Sequence, residues 1–129
     1  MLNKDTTNGF IHLCSIEEIS DPGSKEFSWE GMSWPMSFFV VRSGYSVYGY
    51  LNSCPHAGHP LNLQKDDFLT NDYSLIQCQS HGARFKISNG LCVFGPCVGA
   101  VLQSIPLGEV NGKISVEISD LKKAFNALI

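Results

Sequence analysis

Two short stretches of this chain bring cysteine and histidine together: Cys54-Pro55-His56 and Cys78-Gln79-Ser80-His81, with residues 57–77 between them. Each stretch offers one soft thiolate and one imidazole. Together they supply the donors for a [2Fe–2S] cluster in which one iron takes two cysteines and the other takes two histidines. The same four side chains would also satisfy a tetrahedral zinc ion with no redox role. Zinc sites usually place two cysteines in one arm and two histidines in the other, whereas each arm here mixes the two. The pattern favours the iron–sulfur cluster and a one-electron carrier, with a structural zinc-binding interaction module as the alternative.

The flanking residues suit such a site. Gly58 and Gly82 follow the histidines and permit tight turns that aim backbone N–H groups inward. Pro96, in Gly95-Pro96-Cys97, would stiffen a third loop that keeps water from the cluster. His59 is expected to flank the site and His12 to be an ordinary strand residue. Cys14, Cys92 and Cys97 are expected as small buried thiols, the alternative being a Cys92–Cys97 disulfide across the Gly-Pro turn.

The 129 residues are 43% hydrophobic and 16% charged, which suits one globular domain. A net charge of −3 without any Lys/Arg run argues against nucleic-acid and membrane surfaces. No apolar stretch nears the roughly 20 residues that span a bilayer, and Met1–Asn8 lacks the apolar centre of a secretory signal. A cytoplasmic location is the expectation. Five cysteines is an odd count for a disulfide framework and fits metal or redox work better. No nucleophilic triad, phosphate loop or paired-carboxylate site stands out, so the chain is not expected to be an enzyme by itself.

The elements that must position these residues read as short strands between turn signals. Strands are predicted at Phe10–Cys14, Phe38–Arg42, Ser46–Leu51, Leu75–Cys78, Arg84–Ile87, Leu91–Phe94, Leu102–Leu107 and Lys113–Ile118. Ser43-Gly44, Asn89-Gly90 and Asn111-Gly112 mark turns, the two Asn-Gly steps most strongly. A short helical turn is predicted over Ser15–Ile19. One helix follows Ser119 or Asp120 as cap, with Leu121, Phe125, Leu128 and Ile129 on its apolar face. Trp29, Trp34, Phe38 and Phe39 read as core or loop anchors. The expected fold is all-β, an antiparallel sandwich or barrel in a single domain. A loop-rich cluster-binding unit at about 52–97 is inserted in a base formed by about 9–51 and 98–118, and a helix covers about 120–129.

With these motifs in place, the chain resembles the Rieske family, and above all its small stand-alone Rieske-type ferredoxins. The resemblance runs from about residue 36 to 118 and rests on Cys-x-His, Cys-x-x-His and the Gly-Pro turn. It implies that Cys54 and Cys78 bind one iron of a [2Fe–2S] cluster while His56 and His81 bind the other. It also implies partners: a flavin-containing reductase that delivers the electron, and an acceptor such as a Rieske non-haem iron oxygenase. The alternative within the family is the small subunit of a larger, nitrite reductase-like enzyme. Too few histidines remain for a second, mononuclear iron domain, so a complete oxygenase is not expected.

Rieske proteins of respiratory complexes add a disulfide between the cluster loops, and His59 with Gln79 or Ser80 stands at the corresponding positions here. Their hydroxyl donors to the cluster correspond to Ala83 and Phe85, which have none. Fewer donors to a centre that gains negative charge make reduction harder, so a potential near the low end of the about −150 to +300 mV Rieske range is expected. Replacing Ala83→Ser together with Phe85→Tyr is expected to raise that potential, as read by protein-film voltammetry; an unchanged or lowered potential would contradict this account.

Overall fold

The computed structural model describes residues 9–30, 36–55 and 58–128. Among the described residues, ten strands form three antiparallel sheets, and one α-helix follows the last strand. The first sheet has the order β1 (Phe10–Ser15), β10 (Lys113–Glu117), β9 (Gly108–Val110). The second is β2 (Gly23–Trp29), β3 (Met36–Ser43), β4 (Ser46–Leu51), β8 (Ser104–Ile105). The third is β5 (Leu75–Gln77), β6 (Arg84–Lys86), β7 (Cys92–Phe94). The expected all-β fold with a C-terminal helix is what the chain adopts.

The second sheet is buried on both faces, and the period-2 geometry of β3 explains how. Phe38 and Val40 point into one core with Trp29, Ile114, Val116 and helix residue Phe125. Phe39 and Val41 point into the other, with Leu61, Phe68, Ile76 and Phe85. Trp29 stacks on Phe125 at 5.9 Å between ring centroids, and Phe39 stacks on Phe68 at 4.0 Å. The first core joins sheets one and two under the helix. The second joins sheet two to the chain that carries Cys54 and Cys78.

Several expectations are refined by local chemistry. The helix α1 (Ile118–Asn126) starts two or three residues earlier than its expected caps allow, with Glu117 as N-cap. Strand β10 runs straight into it, and the Ile118 N–H is already taken by the Gly9 carbonyl at 2.8 Å. Leu121 and Phe125 are buried as expected, whereas Leu128 is largely exposed and Ile129 lies outside the described residues, as does Trp34. The short helical turn is present as Ile16–Glu18. Strand β8 is much shorter than Leu102–Leu107, since Pro106 has no N–H to extend the ladder and Leu102 bonds instead to Gly90. Two strands escaped the sequence pattern, β2 and β9, because neither alternates cleanly: β9 is exposed throughout and β2 carries Ser, Lys and Glu.

Tyr50 of β4 links the second sheet to the Lys86–Leu91 turn. Its hydroxyl donates to the Ile87 carbonyl at 2.6 Å, and burial, helped by Tyr48, pushes its phenol up to about 12. The unfolded phenol ionises near about 10, so the folded state holds this proton more tightly. That stabilisation is fully present below about pH 10 and is lost as pH rises through about 12. Tyr50→Phe is therefore expected to lower stability at neutral pH by roughly 1 kcal/mol through the lost hydrogen bond. It should also flatten the alkaline loss, and urea midpoints from about pH 9 to 12 compare the two slopes. Parallel alkaline slopes for the two proteins would contradict the assignment.

Candidate metal centre

Cys54 and Cys78 occupy equivalent places in two turns of the same construction. In the first, the Cys54 N–H donates to the His59 carbonyl at 2.9 Å, and the Gly58 N–H returns to the Cys54 carbonyl at 2.7 Å. In the second, the Cys78 N–H donates to the Ala83 carbonyl at 2.8 Å, and the Gly82 N–H returns to Cys78 at 2.9 Å. The glycines sit at φ +79° and +76°, a region that favours a residue without Cβ. The tight turns expected at Gly58 and Gly82 are present, and the N–H groups of the two glycines close them. The pattern recurs a third time, where Lys86 N–H donates to Leu91 and Gly90 N–H returns to Lys86. That turn bears no candidate ligand, so the turn is a hairpin solution and the cysteine and histidine it carries supply the chemistry.

The two ligand turns are tied to each other and to the second sheet. Gln79 N–H donates to the Leu61 carbonyl at 2.7 Å, and Leu61 N–H donates to Asn52 Oδ1 at 2.8 Å. Asn52 is buried, and its Nδ2 donates to Asn62 Oδ1 at 2.9 Å, to Ser37 Oγ at 3.2 Å and to Glu26 Oε2 at 3.3 Å. Asn62 in turn donates to Glu26 Oε1 at 2.8 Å. Asp66 fixes the far end of this loop through the Glu26 N–H, 2.7 Å from its Oδ1. Sequence reasoning missed this network. The available signal was the polar Asn52-Ser53 step between the apolar run of β4 and Cys54.

Cys54 and Cys78 are both almost wholly buried, within the same core, while His81 is exposed. The His59 ring lies 5.7 Å from the His81 ring, flanking the site as expected. His56 lies outside the described residues. Among the described residues, no three His, Cys, Asp or Glu side chains converge on one point as a single metal ion requires. Ala83 and Phe85 are fully buried, and Gly95 packs so closely that a Cβ there would lie 2.8 Å from Ala83 Cα. The Gly95-Pro96 segment thus lies directly on the second ligand turn, as a third loop at the site.

Cys92 and Cys97 are free thiols, not a disulfide. Burial, then the contact with Cys92, pushes the Cys97 thiol up to about 12, and the Cys54 and Cys78 sulfurs act in the same direction. Arg84 sets its guanidinium 4.8 Å over the Phe94 ring, placing a positive charge beside this loop. Phe94 at the end of β7 and Val98 and Val101 beyond it are exposed apolar residues.

Comparison with known proteins agrees with this geometry. The family model of the Rieske [2Fe-2S] domain matches residues 9–106. Comparison with curated proteins returns no match. Among solved structures, the ferredoxin of carbazole 1,9a-dioxygenase from Nocardioides aromaticivorans IC177 superposes with a TM-score of 0.67 at 23% identity, covering 85% of this chain and 98% of that one. A complex of reduced oxygenase and oxidized ferredoxin in carbazole 1,9a-dioxygenase contains a chain with TM-score 0.67 and 19% identity, covering 86% of this chain and 94% of that chain. In the reduced complex of the same system, a match with TM-score 0.69 and 19% identity covers 86% of this chain but only 28% of the other.

Asn52 bonds both the base, at Ser37 and Glu26, and the loop beyond Cys54, at Leu61 and Asn62. Asn52→Leu leaves the buried Leu61 N–H without its partner, at a cost of about 1–3 kcal/mol. The expected outcome is a folded protein with reduced iron content per chain, measured by metal analysis beside circular dichroism; full iron loading would contradict a positioning role.

Proposed function

This chain belongs to the Rieske [2Fe-2S] domain family, and on that premise we propose that it is a one-electron carrier whose cluster is held by Cys54 and Cys78 on one iron and His56 and His81 on the other. The observation that supports this best is the pair of matched turns, each beginning at a buried cysteine and carrying a histidine in its loop. The donor set fits the group: two thiols in a dry core, where they favour the soft iron, and an imidazole at the surface. When bound, the cluster supplies reversible one-electron redox chemistry, with a potential set by its ligands, hydrogen bonds and exposure.

The chain's own residues do the rest. Burial of Cys54 and Cys78 excludes water from the sulfur side, and exposed His81 leaves the nitrogen side open to a partner. Residues 52–97 serve on this reading as the cluster-binding unit, with about 9–51 and 98–118 as its base. A flavin-containing reductase would deliver the electron, and a terminal oxygenase would receive it. The carrier itself catalyses no transformation of a substrate. Among the described residues no helix is long and apolar enough to cross a membrane.

Anaerobic purification followed by visible absorption and low-temperature EPR, before and after dithionite, tests the reading. The expected result is a red-brown protein with two irons per chain and the low-average-g signal of mixed His/Cys ligation. Stoichiometric zinc without iron, after reconstitution as well, would overturn it. Val98→Glu, on the exposed loop beside the second ligand turn, is expected to slow electron delivery several-fold while leaving the EPR spectrum unchanged; stopped-flow reduction by the partner measures it. Wild-type rates would remove this loop from the exit face.

A further inference from the structure

Of the three cysteines outside the cluster reading, two lie against each other. The Cys97 thiol donates to Cys92 Sγ at 3.3 Å, and the Cys92 thiol donates to the Phe94 carbonyl at 3.3 Å. The backbone enforces this approach. Cys92 N–H donates to the Ala100 carbonyl at 2.8 Å, and Gly99 N–H donates back to the Cys92 carbonyl at 3.1 Å. Ala100 N–H closes the turn on the Cys97 carbonyl at 2.9 Å. Both backbone groups of Cys92 therefore clamp the end of the loop, and Cys97 is folded back over it. A disulfide needs its sulfurs about 2.05 Å apart, a small further approach that side-chain rotation in a turn can provide. Cys97 is half-buried and reachable, whereas Cys92 lies beneath it, almost wholly buried. Cys97 is thus the thiol that a small disulfide meets first, with Cys92 behind it to resolve, and the burial that holds the Cys97 proton makes that exchange slow.

We propose that Cys92 and Cys97 are a second, thiol-based redox site, a dithiol that closes to an intramolecular disulfide by exchange with a low-molecular-weight disulfide of the glutathione type. Cys97, its proton released to solvent, attacks one sulfur of the small disulfide and expels the other half as a thiolate, which takes up a proton. Cys92, deprotonated in turn, attacks Cys97 Sγ in the mixed disulfide and expels the second half in the same way. Two cysteine S–H bonds are lost and one S–S bond forms. The small disulfide is reduced by two electrons and two protons to two thiols. The site stores a pair of electrons where the neighbouring centre handles one, and it does not depend on the identity of the metal bound there.

The test uses the holoprotein, equilibrated anaerobically with reduced and oxidised glutathione in varied ratio, quenched in acid, alkylated and digested with trypsin. The peptide Ile87–Lys113 contains Cys92 and Cys97 and no other cysteine. The expected result is a peptide alkylated at both cysteines under reducing conditions. Under oxidising conditions it should become two hydrogens lighter and unalkylated, in protein that keeps its visible absorption. Cys97→Ser should abolish the lighter species. Double alkylation at every ratio would overturn the proposal, as would oxidation that stops at mixed glutathione adducts. So would a disulfide confined to protein that has lost its metal. A zinc-loaded protein would end the iron–sulfur reading while leaving this peptide measurement fully decisive for the thiol pair.

Discussion

A strand buried on both faces ties this molecule together. Because side chains alternate along β3, four consecutive apolar residues, Phe38 to Val41, feed two separate cores with no polar interruption. One core stabilises the base beneath the helix, and the other holds the loops that carry the thiols. Loss of packing at either face would be felt at the other through the same backbone. The Phe39–Phe68 stack and the Asn52 network run parallel to this link, one apolar and one polar, so the ligand loops are held both by burial and by directional bonds. The polar half matters because a buried amide that loses its partners is costly, which gives the loop a single well-defined seat.

The turns themselves show how little backbone novelty the site needs. The same closure serves Cys54, Cys78 and Lys86, and two of the three become chemically special through side chains alone. Burial then divides the labour. The Cys54 and Cys78 thiols sit inside an apolar core, and the imidazole of His81 remains at the surface. The family match over residues 9–106 and the ferredoxin-like structures belong to the same picture, a scaffold of the Rieske [2Fe-2S] family.

Much of this was legible before any coordinates. The ligand candidates stood out because their types and spacing are unusual, and the Val- and Tyr-rich strand Ser46–Leu51 between turn signals was bounded correctly. The Asn111-Gly112 turn also lies where the dipeptide suggested, joining β9 to β10. What escaped was set by tertiary contacts. Strand β2 carries Glu26 inward because Asn52 and Asn62 wait for it, and no local pattern reports such a partnership. The helix start was displaced by a carbonyl from Gly9, over a hundred residues away in sequence. The pairing of Cys92 with Cys97 was visible only as an option, because sequence spacing cannot say whether a turn folds its second thiol back on its first.

The likeness of the two ligand turns ends at their side chains. Each frames four loop residues between a cysteine and its carbonyl partner, yet histidine is the second of the four in the first turn and the third in the second. The two histidines are thus one residue out of step in the sequence of their turns. Among the described residues, the Gly95-Pro96 segment lies on the second turn at Ala83. The two turns, alike in their closing bonds, are therefore not interchangeable to whatever meets them.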